Sequence, residues 1–373
     1  MSHNQHVIAC AVPVTTAFTS PHGGFRNCCL ADPALHSRPT QNFVEWWTSQ
    51  ELQAFRDSLT SQALPKECYR CQVSEQVNGQ SYRQSVNSQV DLKSLAGDWP
   101  SRWNVQFGNT CNLACWSCSE KSSSVIETHK RRIGILPADH VSPAVAFDQQ
   151  WPALRAAIMQ SYQHHETIHL TILGGEPLYN DHVLDFLNSL SVHQLTSRTR
   201  LEFHTNATRF HQRIRTMLAP GQWQYVSVFL SLDSVGRAAE WLRYGSDWSQ
   251  IENNVEAIKT SVDYCEVHCT LSILNIMDLA DLKQWCATRH LPLKIFLLAA
   301  PAHMALSNWD DDPEKILSMI DNQDPEFESY YSMIGSIAQS GSRDSLRQYI
   351  QQFDSIRKPL ADFNPKLHAI LHG

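Results

Sequence analysis

The 373-residue chain has no run approaching the ~20 consecutive apolar residues of a membrane span. Its first residues, MSHNQHVIACAVPV, have neither a basic leader nor an apolar stretch long enough for a secretory signal. A soluble, cytoplasmic protein is expected. Positive charge is also scarce: 30 Lys and Arg stand against 37 Asp and Glu, a formal net charge of -7. That balance argues against a protein-wide basic surface for nucleic acid. Charged residues make up only 18% and hydrophobic ones 42%, so the composition is that of a packed globular chain and not of a disordered one. Repeats and low-complexity tracts are missing too, which leaves no sign of a solenoid or linker array.

Cysteine is not scarce. Eleven are present, and eight fall within the first 118 residues: Cys10, Cys28, Cys29, Cys68, Cys71, Cys111, Cys115 and Cys118. In a reducing compartment clustered thiols bind metal or do redox chemistry more often than they form disulfides. Two candidate sites result, one before and one after residue 100.

Beyond residue 100, six β-branched or aromatic runs read as strands: 103–107, 169–173, 200–204, 225–232, 265–274 and 293–298. Helical patterns at 151–164, 181–190, 208–218, 248–260 and 279–288 alternate with them. This is the βαβα order of parallel strands with crossover helices. The expected fold is α/β, a partial (β/α)6 TIM-like barrel over residues 101–305, with chemistry at the loops that follow the strands. Residues 1–100 read as a small cysteine-bearing module: TSPHGGFRNCC has the turn residues of a hairpin, and Leu52, Phe55 and Leu59 repeat at helical spacing. Residues 306–373 are expected to be a helical extension packing on the barrel, interrupted by SGS at 340–342.

Directly after the first barrel strand, CNLACWSC places Cys111, Cys115 and Cys118 in Cys-x3-Cys-x2-Cys spacing on one loop. Three thiolates there can reach one metal centre. A 4Fe-4S cluster normally takes four, so a site with three leaves one iron open to an outside ligand. The alternative is a structural zinc site, closed by a fourth Cys or His.

Spacing and position resemble the radical S-adenosylmethionine superfamily, whose members let the amino and carboxylate groups of S-adenosylmethionine bind the open iron. Ser117 stands where that family has an aromatic residue, and Trp116 precedes it. The resemblance extends to the later strand ends. Gly174, Gly175, Glu176 and Pro177 match its Gly-Gly-Glu-Pro motif, implied to bind the methionine ammonium. Thr205, Asn206 and Thr208 are similar to its Thr-Asn-Gly-Thr loop, with Ala207 in the glycine position. Ser231 and Asp233 match a Ser-x-Asp near the ribose and methionyl groups, and Arg243 an Arg-x-Gly that contacts the carboxylate. Asn275, closing the fifth strand, is expected to line the same cofactor pocket. Cys265, His268 and Cys269 look metal-like, but strand alternation sends His268 to the face opposite the two cysteines, so they are read as core residues.

In the amino-terminal module, Cys68 and Cys71 form a Cys-x2-Cys, and Cys28 and Cys29 follow Cys10. The pattern resembles the twitch module, a shortened relative of the SPASM domain carrying one auxiliary 4Fe-4S cluster. Glu75, Gly79, Ser81, Arg83, Asn87 and the tail FDSIRKPLADF add to the match. The resemblance implies Cys10, Cys28, Cys68 and Cys71 as ligands, with Cys29 competing with Cys28. A zinc knot remains the alternative.

The resemblance implies an enzyme that reductively cleaves S-adenosylmethionine, using an external one-electron reductant of flavodoxin or ferredoxin type. A peptide is the leading substrate expectation, through oxidation, crosslinking or epimerisation. A small molecule or nucleotide is the second, and a non-catalytic metal-binding interaction protein the third.

Overall fold

The computed structural model describes residues 9–38, 41–59, 64–92, 95, 98–298, 300–306, 343–353 and 355–372. Its frame is an open sheet whose strands lie in the order Leu293–Leu297, Tyr264–Leu271, Tyr225–Ser231, Thr199–Thr205, Ile168–Leu173, Arg102–Gln106, Thr16–Thr19 and Phe25–Arg26. The six strands expected from the runs are β3 (Arg102–Gln106), β5 (Ile168–Leu173), β6 (Thr199–Thr205), β7 (Tyr225–Ser231), β9 (Tyr264–Leu271) and β10 (Leu293–Leu297). All pair in parallel. The helices that cross between them make the pairing parallel, and two-residue alternation marks the strands themselves. In Ile168-His-Leu-Thr-Ile-Leu173 and Thr199-Arg-Leu-Glu-Phe-His-Thr205 every second residue is buried.

The apolar residues of this alternation, among them Val105, Leu170, Leu201, Val228 and Val267, face the crossover helices Pro143–His164, Asp181–Val192 and Trp248–Lys259 in one continuous core. The second face is polar. It carries Arg102, Asn104, His169, Thr171, Arg200, Glu202 and His204, aligned across β3, β5 and β6 by the register Arg102↔His169↔Arg200. Further along, the rings of His204, Phe229, His268 and Phe296 form a row with centroid spacings of 4.9, 4.5 and 5.0 Å. His268 therefore stands on this face, while Cys269 lies in the helix-covered core and Cys265 packs against it.

The sheet continues across residue 100. β1 (Thr16–Thr19) pairs in parallel with β3 and forms a hairpin with β2 (Phe25–Arg26), the turn expected from TSPHGGF. The remainder of the amino-terminal segment has a small core of its own, built on Cys10, Ala11, Val12, Phe18, Leu59 and Val86. At the other end of the chain, Leu346, Ile350, Phe353, Leu360 and Leu367 pack with Trp116, Trp241 and Leu271 over the carboxyl ends of the strands. The stretch 307–342, which includes most of the expected helical tail and its SGS break, lies outside the described residues.

The helix expected at 151–164 already begins at Pro143, a residue suited to the first helical position, and two further boundaries differ for local reasons. The strand expected over 265–274 stops at Leu271, because the Asn275 Oδ1 accepts from the Ser272 amide at 2.8 Å and folds the chain into a turn. The helix expected from 208 starts at Gln212, since Thr208 is tied to Asn206 by hydrogen bonds to its side chain. Among the described residues no helix is long and apolar enough to cross a membrane.

Candidate active site

The loop after β3 is fixed by its neighbours before any ligand is considered. Cys115 lies in β4 (Ala114–Cys115), which pairs with β8 (Arg243–Tyr244) in the register Cys115↔Arg243. The Cys111 amide donates to Ser124 Oγ at 3.1 Å, and its thiol accepts from the Leu113 amide at 3.4 Å. Burial pushes all three thiols upward, Cys118 to about 12, and their mutual proximity adds to the rise at Cys111 and Cys118. A coordinating metal reverses this by deprotonating the thiols.

The loop after β5 presses against the cysteine loop. The Glu176 amide donates to the Thr110 carbonyl at 2.8 Å. Gly175, at φ +55°, comes so close that a Cβ would lie 2.0 Å from the Thr110 carbonyl oxygen. Only glycine permits this approach. Glu176 is buried, and its carboxylate joins two strand ends: Oε1 accepts from Thr205 Oγ1 at 2.7 Å and from the Leu178 amide at 3.1 Å, while Oε2 accepts from the Asn206 amide at 2.6 Å. Burial pushes its carboxyl up, and these donors oppose the shift. Pro177 opens the short turn that follows.

Asn206 in turn donates to Asn112 Oδ1 at 3.0 Å, and Asn112 donates to Thr208 Oγ1 at 2.9 Å, so the loop after β6 holds the cysteine loop from the other side. Ala207 has φ +58°, the left-handed region that favours glycine.

The fourth and fifth strand ends bring charge. Arg243 Nη2 lies 2.8 Å from Asp233 Oδ2, and its Nη1 donates to the Cys115 sulfur at 3.8 Å. Ser231 lies on the polar face, in register with His268. Asn275 is buried, with Nδ2 donating to the Asp233 carbonyl at 2.9 Å and Oδ1 taken by Ser272. Its observed role is to position the Asp233 turn.

Thr205, Asn206, Asp233 and Arg243 thus gather at the triad with Glu176 at their centre. The donor set fits an anionic three-thiolate cluster. Three thiols share one loop, Cys115 buried and Cys111 and Cys118 half-buried, a guanidinium already donates to one of them, and the Arg243 Nε and the indole nitrogens of Trp116 and Trp241 are buried without a hydrogen-bond partner among the described residues. Among the described residues, no three His, Cys, Asp or Glu side chains are grouped so as to hold a single metal ion.

Residues 105–286 match the family model described as Radical SAM superfamily. This segment carries a radical SAM domain. No curated protein matches the chain. Among solved structures, native anSMEcpe with bound AdoMet aligns at TM-score 0.44 and 14% identity, covering 65% of this chain and 64% of that one. Streptococcus suis SuiB bound to precursor peptide SuiA aligns at TM-score 0.39 and 14% identity, covering 65% and 48%. The matched region therefore spans less than two thirds of the first of these proteins and about half of the second.

Beside the radical SAM domain, Cys10, Cys28, Cys68 and Cys71 line one small pocket with Val12 and Tyr82. Burial pushes Cys10 to about 12 and Cys68 to about 11, whereas the Cys29 thiol beside Cys28 holds the latter down. Glu75, Ser81, Arg83 and Asn87 hold this pocket together. Arg83 pairs with Glu75 and donates to the Ala9 carbonyl at 2.9 Å, Ser81 Oγ donates to Glu75, and Asn87 accepts from the Ala11 amide at 2.9 Å.

Two features escaped sequence reading. One is a cavity of about 200 Å³ on the polar face of the radical SAM sheet, lined by Tyr82, Arg102, His169, Thr171, Glu202 and His204. Its signal was available in the charged alternate positions of strands read only for their apolar ones. The other is the placement of Arg357, read in the sequence only as part of the tail FDSIRKPLADF, which lies buried over Trp116 of the cysteine loop.

Proposed function

We propose that this protein is a radical SAM enzyme in which Cys111, Cys115 and Cys118 hold a 4Fe-4S cluster and the strand-end residues hold S-adenosylmethionine. The observation that carries this reading is the Arg243 contact with both Cys115 and Asp233, which ties the thiol loop to the fourth strand end. Such a cluster with S-adenosylmethionine on its open iron supplies, on one-electron reduction, a 5′-deoxyadenosyl radical that takes hydrogen from an unactivated carbon.

The chain's own residues bind, orient and exclude water. Gly174 and Gly175 let the second strand end pack directly on the backbone of residues 106–110, so the cysteine loop and the loop meant to hold the methionyl group are set against each other. Glu176 fixes Thr205 and Asn206, so the third strand end is set before a ligand arrives. Arg243, restrained by Asp233, places fixed positive charge at the thiol loop, and its Nε–H, without a partner among the described residues, is left for an anionic group. Ser231 and Asp233 border the ribose side, with Asn275 fixing the turn that carries Asp233. The aromatic and aliphatic side chains of Trp116, Trp241, Phe353 and Leu360 shield this end from solvent.

The substrate reading is a peptide, modified by oxidation, crosslinking or epimerisation. A cavity of about 200 Å³ suits one side chain of a longer substrate better than a whole cofactor-sized molecule, whose pockets run to ~300–1,000 Å³. Tyr82 lines both this cavity and the four-thiol pocket, so a substrate held here would lie beside the amino-terminal module. We assign that module an auxiliary 4Fe-4S cluster on Cys10, Cys28, Cys68 and Cys71, able to ligate substrate or take an electron from the product radical. An external flavodoxin- or ferredoxin-type donor supplies the reducing electron.

The test is anaerobic reconstitution with iron and sulfide, addition of dithionite and S-adenosylmethionine, and chromatography for 5′-deoxyadenosine. The wild-type chain should form it and Cys115→Ala should not. Persistence of the product in that variant removes the assignment. Mass spectrometry of peptides and metabolites incubated with the reduced enzyme then separates a peptide substrate from a small molecule or nucleotide.

A further inference from the structure

Arg357 is the most isolated charge among the described residues near the thiol loop. It is 5% exposed, and its Nε, Nη1 and Nη2 are all buried without a hydrogen-bond partner among the described residues. Its backbone is not free to carry it elsewhere: the Arg357 amide donates to the Phe353 carbonyl at 2.8 Å, and the Tyr244 hydroxyl donates to the Ile356 carbonyl at 3.2 Å, anchoring this turn to β8. The guanidinium carbon lies 4.1 Å above the Trp116 ring, 4.5 Å from that of Phe353 and 5.8 Å from that of Tyr244.

Ring faces attract a cation but do not replace the hydrogen bonds it loses on leaving water. A buried guanidinium with five N–H donors and no acceptor calls for an anion whose charge is spread over several atoms. No Asp or Glu among the described residues pairs with it. What lies beside it is the thiol loop: Trp116, on which it stacks, immediately follows Cys115.

We infer that Arg357 is the buried counter-charge of the triad's iron–sulfur cluster, a positioning residue set against the Trp116 side of the loop that raises the cluster's reduction potential. This rests on the reading of Cys111, Cys115 and Cys118 as cluster ligands. Adding an electron to an already anionic group is favoured by a fixed nearby cation, and more so in a dry, low-dielectric setting. Arg243 has Asp233 to neutralise it, whereas Arg357 has no such partner among the described residues, so its charge is left for the cluster.

The experiment is a potentiometric titration of the full-length, anaerobically reconstituted protein, followed by electron paramagnetic resonance. The triad signal is identified as the one whose shape changes on adding S-adenosylmethionine. Arg357→Gln should shift its midpoint to more negative potential, Arg357→Lys should restore most of that shift, and Lys358→Gln, at the exposed neighbour, should leave it unmoved. An Arg357→Gln protein with wild-type iron content and wild-type midpoint overturns the inference and leaves the residue a packing element. Should the Gln variant fail to hold iron, the Lys variant decides: a midpoint near wild type supports the charge, and one displaced as far as that of an Arg357→Met protein overturns it. A wild-type chain without any signal sensitive to S-adenosylmethionine sinks the cluster reading itself, which the titration separates from a mere absence of shift.

Discussion

Arg243 donates to the sulfur of Cys115 from across 128 residues of chain, while Asp233 holds the same guanidinium at 2.8 Å. Both partners of the ion pair are buried, so the pair is an all-or-none element: intact, its charges satisfy each other, and with one removed the other is stranded. Asp233→Asn is expected to destabilise the iron-free chain by about 3–5 kcal/mol in anaerobic urea unfolding. Arg243→Lys keeps the charge but loses the fork that reaches Asp233 and Cys115 together, and should lower affinity for S-adenosylmethionine with a smaller loss of stability. Equal stability of Asp233→Asn and wild type would show that the pair does not order this corner.

The contact between Gly175 and Thr110 makes a sharper prediction, because two costs can be separated. Gly175→Ala must place a Cβ 2.0 Å from a carbonyl oxygen and also hold φ at +55°. Gly221→Ala, at φ +80° with nothing within 4 Å, carries the conformational cost alone. That cost is ~1–2 kcal/mol. Gly175→Ala should exceed it clearly in unfolding measurements and lower the iron bound after reconstitution, since Thr110 adjoins Cys111. Similar losses in the two variants would deny the close approach any role.

Much of this was legible in the sequence because it follows short-range rules. Alternation in Ile168–Leu173 and Thr199–Thr205 located the strands, and three cysteines on one loop announced the site. Strand ends were less legible: the stop at Leu271 depends on a side chain four residues later, Asn275, turning back on Ser272. The mutual grip of Glu176, Asn206 and Asn112 joins three separate loops, and Arg357 reaches Trp116 from a tail of ordinary composition. No periodicity encodes contacts of that range. That β1 continues the main sheet was likewise hidden, since four residues, Thr16–Thr19, are too short a run to announce a strand.

The four-thiol pocket separates Cys28 from Cys29 experimentally. Cys28 lines it with Cys10, Cys68 and Cys71, whereas Cys29 is not part of that lining. Cys28→Ser should therefore lose about half of the iron bound by a two-cluster chain, as should Cys68→Ala, while Cys29→Ser retains it. Iron and sulfide analysis per chain reads this directly. Full iron in Cys28→Ser with loss in Cys29→Ser would exchange the two assignments.

The polar face of the sheet predicts an acid sensitivity independent of any cofactor. His169 sits between Arg102 and Arg200 in register, and burial first, then those two guanidinium groups, lower its imidazole from 6.5 to about 3. The folded value lies below the unfolded one, so the unfolded chain binds the extra proton as pH falls. Stability is then complete above the unfolded value of 6.5 and is lost progressively as pH drops towards about 3. At about 1.4 kcal/mol per pH unit, this one residue should cost about 2 kcal/mol between roughly pH 7 and pH 5. Asparagine has nothing to protonate in that interval. Urea unfolding of the iron-free His169→Asn chain should accordingly lose less stability over the interval than wild type, by about that amount. Parallel losses in the two proteins would mean that His169 is protonated in the folded state, and that the row of Arg102, His169 and Arg200 is open enough to solvent to share its charge.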